Sequence, residues 1–145
     1  MRVSAKCSIA VHCLLFLHEY GEQKKVTGGL LALSTGCNPV VIRGIMGSLK
    51  KAGLVEITAS SGGARLSCPP DEITLYQICM AVEPNCLDEL IGRHPAPSVL
   101  CPIGRNIHAV LGTAYGKLQE DVGTSLRSVT LADIVEDYHK LQDEP

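Results

Sequence analysis

The stretch TGGLLALSTGCNPVVIRGIMGSLKKAGL, residues 27–54, decides the architecture. Thr27 is a good N-cap for a short helix that carries Leu30, Leu31 and Leu33 inward, and Gly36 ends it. Asn38-Pro39 then restarts a helix, because Asn caps well and Pro suits the first helical position. Val41, Ile45, Leu49 and Ala52 recur at spacings of four, four and three, which reads as one inward face, and Gly53 stops the helix. Two short helices joined by a tight glycine-bearing turn form a helix-turn-helix.

Upstream, Ser4 to about Tyr20 reads as a helix, nearly all apolar from Ile9 to Leu17 and therefore buried on most sides, followed by a polar turn over 21–25. Downstream, Leu54–Thr58 and Ala64–Cys68 read as two strands joined by the hairpin turn Ala59-Ser60-Ser61-Gly62-Gly63, and Pro69-Pro70 ends the module. A helix-turn-helix followed at once by a hairpin is a winged helix. Thr74 and Gln77 form a capping box that opens a helix to about Val82. Four prolines between Pro84 and Pro102 make that interval a long loop, of the kind that is often functional. A long helix is predicted from Ile103 to about Val122, and a second capping box, Thr130 to Asp133, opens a final helix through Leu141. Ile107, Leu111, Ala114, Leu118 and Val122 recur at four, three, four and four, near the coiled-coil seam period, and Gly112 and Gly116 would let a second helix approach. The expected fold is mainly α with a small β-hairpin wing: a winged helix-turn-helix head over 1–70, then an effector loop and dimerisation helices over 71–145.

Composition supports this. Of 145 residues, 46% are hydrophobic but only 3% aromatic, with no tryptophan, so the core must be built from Leu, Ile, Val and Ala. The longest near-apolar run, Ile9 to Leu17, is broken by His12 and is far short of the about 20 residues a spanning helix needs. Arg2 and Lys6 precede that run as in a secretory signal, yet no small-residue cleavage pattern follows, so the chain reads as cytoplasmic with no membrane partner. Residues 1–68 hold eight basic and three acidic residues, and 69–145 hold five and twelve. A basic front half on an acidic protein suggests one face that meets a polyanion. No nucleophile elbow, zinc-protease or phosphate-loop motif occurs, which argues against an enzyme. The seven cysteines include no C-x-x-C pair and their number is odd, so neither a zinc ribbon nor a disulfide framework is expected, and Cys13 and Cys79 read as small core residues.

Several strings together resemble the Rrf2 family of bacterial transcription regulators: M-R-V-S at the start, N-P-V-V-I-R in the third helix, L-K-K-A-G-L-V into the wing and G-G-A-R-L within it. They continue with P-P-D-E-I-T-L, C-P-I-G-R-N-I at the long helix and T-L-A-D-I near the end, so the likeness runs through nearly the whole chain. The family includes the iron–sulfur cluster regulator, the nitric-oxide-sensing repressor and the cysteine-metabolism repressor. The resemblance implies a homodimer whose long helices pack together and whose heads address successive major grooves of a palindromic operator on double-stranded DNA, typically as a repressor.

A third helix of this kind enters the major groove with its N-terminal turn facing base edges. By position, Asn38, Val40, Val41 and Arg43 are the candidate contacts, with Arg43 suited to a guanine or a phosphate and Val40 to a thymine methyl. Lys50 and Lys51 at the far end would meet phosphates, and in the wing Arg65 and the Gly62-Gly63 backbone would approach the minor groove. Plainer readings stand beside these: Val41 in the core, Lys50 and Lys51 as a solvated helix end, Asn38-Pro39 as a helix start only. Gly44 stands where many relatives carry a second basic residue. A winged-helix adaptor that binds protein instead of DNA is the alternative function.

Sensing is less specified. The resemblance implies an iron–sulfur cluster in several members, held by three loop cysteines, but here the loop has only Cys86 and Cys101. A rarer family variant adds a carboxylate and a histidine from the partner's first helix; His12 matches the histidine, and Ser8 stands at the carboxylate position. His12 also reads as a hydrogen-bonded core histidine. Without any metal, Cys101 lies at the start of the long helix with Arg105 one turn on, a setting that stabilises a thiolate and favours redox sensing, with Cys86 as a resolving partner.

Overall fold

A computed structural model describes residues 4–143, so Arg2 and the start of the M-R-V-S string lie outside the described residues. The element order is α1 (Ala5–Tyr20), α2 (Gly28–Thr35), α3 (Pro39–Lys51), β1 (Val55–Ile57), β2 (Ala64–Leu66), a 3-10 turn over Pro70–Glu72, α4 (Leu75–Val82), α5 (Pro102–Ser128) and α6 (Leu131–Gln142). The chain is mainly helical with one small antiparallel hairpin, a winged helix-turn-helix followed by a long C-terminal helix.

The caps form as the residue types dictate. Thr27 Oγ1 accepts the Leu30 N–H at 3.3 Å, Asn38 Oδ1 accepts the Val40 N–H at 2.8 Å, and Gly36 closes α2 in the left-handed conformation at φ 68°. In α3 the buried residues are Ile42, Ile45, Met46 and Leu49, which share one core with Leu14 and Leu17 of α1 and Leu31 of α2. This corrects the expected inward face. Val41 is 41% exposed and Ala52 is exposed as well. The spacing i, i+3, i+4, i+7 from Ile42 makes a fuller apolar stripe than the one counted from Val41. Seating that stripe turns Val41 and its neighbour Val40 to the surface.

The wing pairs Val55 with Leu66, Glu56 with Arg65 and Ile57 with Ala64. Its strands are shorter than the five-residue runs read from sequence. An isolated bridge from Val26 to Ala64 adds a third edge and carries Lys25 alongside the hairpin.

The two capping boxes both form, and their N-cap residues, Thr74 and Thr130, bridge each other. The Leu75 N–H donates to Val129 O at 2.9 Å and the Leu131 N–H to Ile73 O at 2.7 Å, so α4 and α6 start side by side. α4 packs on α1 and α3, and the contact of His139 Nε2 with Glu19 Oε1 at 2.6 Å fastens α6 to α1.

α5 is longer than expected at its C-terminal end, reaching Ser128 rather than about Val122. Its last turns are held by α4 and the loop: Gly123 is buried with Tyr76 and Leu87 beside it, and the Arg127 guanidinium stacks on the Tyr76 ring at 3.8 Å. Elsewhere α5 finds little cover. Ile103 is 73% and Val110 62% exposed, and Ala114 and Leu118 are exposed on the same side.

Candidate nucleic-acid interface

The outward side of α3 combines apolar and cationic groups. Val40, Val41, Arg43, Lys50 and Lys51 are all exposed. The outer positions Gly44 and Gly47 have no atom within 4 Å of where a Cβ would stand, so the helix surface is bare there. Arg43, Gly47 and Lys50 form one wall of a groove of about 540 Å³ whose other walls come from Gly28-Gly29 at the start of α2 and from Ile57 and Gly62 of the wing. The groove therefore runs between the third helix and the hairpin. Asn38 caps α3 through its Oδ1 and stands exposed at the first turn.

In the wing, Gly62 adopts φ 69°, which an L side chain resists, and this tight turn leaves Ser61 and Gly62 exposed at the tip with Gly63 half-buried. Arg65 Nε lies 3.1 Å from Glu56 Oε2, so its charge is answered within the hairpin. Among the described residues, Arg43, Lys25, Lys50 and Lys51 join no ion pair. Lys25, in sequence only part of the polar turn over 21–25, belongs to this face as well. It packs on Gly63 and shares a smaller cleft of about 280 Å³ with Lys24, Ser61 and Arg65. The signal that marks it is Val26, a lone apolar residue after two lysines that pairs with the hairpin.

The sensing candidates stand apart from this surface. His12 is exposed on α1, with Nε2 2.8 Å from Ser34 Oγ, so it is hydrogen-bonded but not a core residue. Cys101 is exposed at the N-cap of α5, and the backbone N–H groups of Gly104 and Ile103 hold its thiol below the ordinary range. Cys86 is half-buried against the core, and burial, with Cys7 and Glu83 nearby, pushes its thiol up. A two-iron cluster takes four protein ligands. His12, Cys86 and Cys101 make three, and the Ser8 hydroxyl at the fourth position is a poor ligand for iron. Among the described residues, no three His, Cys, Asp or Glu side chains are grouped to hold a metal ion. The donor set does not fit a cluster, and no chemistry is derived through one.

The model of the Rrf2 family, described as iron-dependent transcriptional regulators, matches residues 3–137. The chain belongs to the Rrf2 family. It is 29% identical over 133 residues to YwnA of Bacillus subtilis (strain 168), a protein named as an HTH-type transcriptional regulator; the match covers 92% of this chain and 96% of YwnA. A crystal structure of a transcriptional regulator from Lactobacillus plantarum superposes with a TM-score of 0.75 at 26% identity, covering 97% of this chain and 99% of that one. T. potens IscR superposes with a TM-score of 0.72 at 22% identity, over 100% of this chain and 93% of that one, a likeness of fold. As an Rrf2 member the chain is a transcriptional regulator. No described helix is by itself long and apolar enough to cross a membrane.

Proposed function

We propose that this Rrf2 regulator is a cytoplasmic homodimer that represses transcription by occupying a palindromic operator. The observation that carries the reading is the outward side of α3, where Val40, Arg43, bare helix at Gly44 and Gly47, and Lys50 face a groove closed by the wing. An α-helix with small residues on its outer side approaches the base edges closely, and an unpaired Arg supplies a bidentate donor for guanine. Asn38, Val40, Val41 and Arg43 read bases; Lys50, Lys51 and the added Lys25 bind phosphates; Gly62, Gly63 and Arg65 carry the wing against the minor groove. Residues 1–70 act as the DNA-binding head and 71–145 as the effector loop and dimerisation part.

The dimer reading rests on α5. A 27-residue helix with Gly123 as its one buried residue spans about 40 Å. Ile103, Val110, Ala114 and Leu118 lie along its uncovered side. The seam of Ile107, Leu111, Ala114, Leu118 and Val122 is thus joined by Ile103 and Val110, and a second copy of α5 covers it. Effector sensing is assigned to Cys101, whose exposed thiol is tuned toward the thiolate by the helix start.

Selection of duplexes from a random pool tests the function. Enrichment of an inverted repeat, with half-site centres about one helical turn or a multiple of it apart, is the expected result. A pool that stays random, while the protein captures a defined protein partner, overturns it in favour of the adaptor.

A further inference from the structure

The outer side of α3 has two flanks. Successive residues of a helix turn by about 100°, so with Ile42, Ile45 and Leu49 buried, Val40, Gly44, Gly47 and Lys51 lie along its outermost line. Arg43 and Lys50 stand on the flank toward the wing. Val41 and Ser48 stand on the other, where they share a cleft of about 310 Å³ with Gly44, with Val82 of α4 and with Lys6 of α1.

The first turn of α1 sets Lys6 there. Ser4 Oγ accepts the Lys6 N–H at 3.1 Å, and α1 packs on both α3 and α4. The Lys6 ammonium lies 3.5 Å from Glu83 Oε1, and the lysine side chain is more than half exposed. Glu83 is anchored through its backbone at the end of α4: its N–H donates to Cys79 O at 2.8 Å, and its carbonyl accepts the Cys86 N–H at 3.0 Å. The lysine, by contrast, carries its charge on a flexible four-carbon stem.

We propose that Lys6 is a phosphate contact of the DNA interface on the flank opposite the wing, and that the duplex takes it over from Glu83. This rests on the reading of α3 as the helix that enters the major groove. A helix about 10–12 Å across fills a groove about 12 Å wide, so a phosphate strand runs past each of its flanks. The strand near the wing meets Arg43, Lys50 and the cations of the hairpin. The opposite strand passes the cleft of Val41 and Ser48, where Lys6 supplies the positive charge. An ion pair this exposed is weak and screened by salt, so a phosphate that releases a counterion on contact competes well for the ammonium. The contact is to the backbone and adds affinity at every sequence without selecting one.

The test measures binding of the full chain, across a range of salt, to two labelled duplexes: the inverted repeat enriched from the random pool and a duplex of random sequence. Lys6→Gln should make the slope of log K against log salt shallower by about 0.9 per head, and should weaken both duplexes by the same factor. Lys6→Arg should restore the slope. Glu83→Gln should tighten binding by about threefold in the wild-type background and far less in Lys6→Gln, because the partner it releases is then gone. A steep wild-type slope that Lys6→Gln leaves unchanged overturns the proposal while the DNA reading of α3 stands. An equal gain from Glu83→Gln in both backgrounds also overturns it. A wild type whose binding does not respond to salt overturns both.

Discussion

Arg65 faces Glu56 directly across the wing, Nε to Oε2 at 3.1 Å, so the one wing cation that the register aims outward is already paired before any DNA arrives. Both side chains are more than half exposed, and an ion pair of that kind is worth about 0–1 kcal/mol. Binding a phosphate with Arg65 must break or share it.

Glu56→Gln should therefore tighten DNA binding. The gain expected is about threefold, within the range of a surface pair, and it should shrink as salt rises. Fluorescence anisotropy with a selected duplex measures it. Unchanged binding by the variant would place Arg65 off the DNA.

Arg43→Ala should cost more. A bidentate contact to guanine is worth about 1–3 kcal/mol, so affinity should fall by roughly tenfold or beyond, with specificity relaxed at one base position. Arg43 is exposed and in no ion pair among the described residues, so the fold should keep its Tm. Unchanged affinity at fixed salt would remove Arg43 from the interface.

The uncovered side of α5 predicts assembly. Val110→Asp places a carboxylate where the proposed dimer buries an apolar side chain that is 62% exposed in the single chain. Sedimentation velocity should show a dimer for the wild type and a monomer at the same concentration for the variant. A variant that stays dimeric would move the interface elsewhere.

Cys101 should react as a low-pKa thiol. Its rate of alkylation by iodoacetamide, followed against pH, should have a midpoint below the about 8.5 of an ordinary cysteine, because the backbone N–H groups of Gly104 and Ile103 at the helix start favour its thiolate. As pH falls through that midpoint, the thiol protonates and the rate is lost. Gly104→Ala should raise the midpoint, since a Cβ there would run into the Ser98 carbonyl and force the loop off the helix start. An ordinary midpoint in the wild type would show that the helix start does not tune the thiol.

The local signals were legible and the spatial ones were not. Thr27, Asn38, Thr74 and Thr130 announce their helices because a cap acts within three residues, and all four cap as expected. The rotation of α3 is ambiguous in the sequence because Val40, Val41 and Ile42 are three adjacent apolar residues, and two periodic stripes pass through them. Only the packing against α1 and α2 chooses Ile42. α5 runs on past Val122 because Tyr76 and Leu87, distant in sequence, cover Gly123 and its neighbours. Lys25 joins the wing through the Val26 bridge, a relation that no sequence spacing reveals.

The most direct test of DNA recognition is the salt dependence of binding to a selected duplex. Each phosphate neutralised contributes a slope of about −0.9 in log K against log salt. Lys25, Arg43, Lys50, Lys51 and Arg65 stand on the proposed face of each head, so a slope of about −4 or steeper is predicted for the wild-type protein. A slope near zero, or no saturable binding at low salt, would contradict the reading of this surface as a DNA interface.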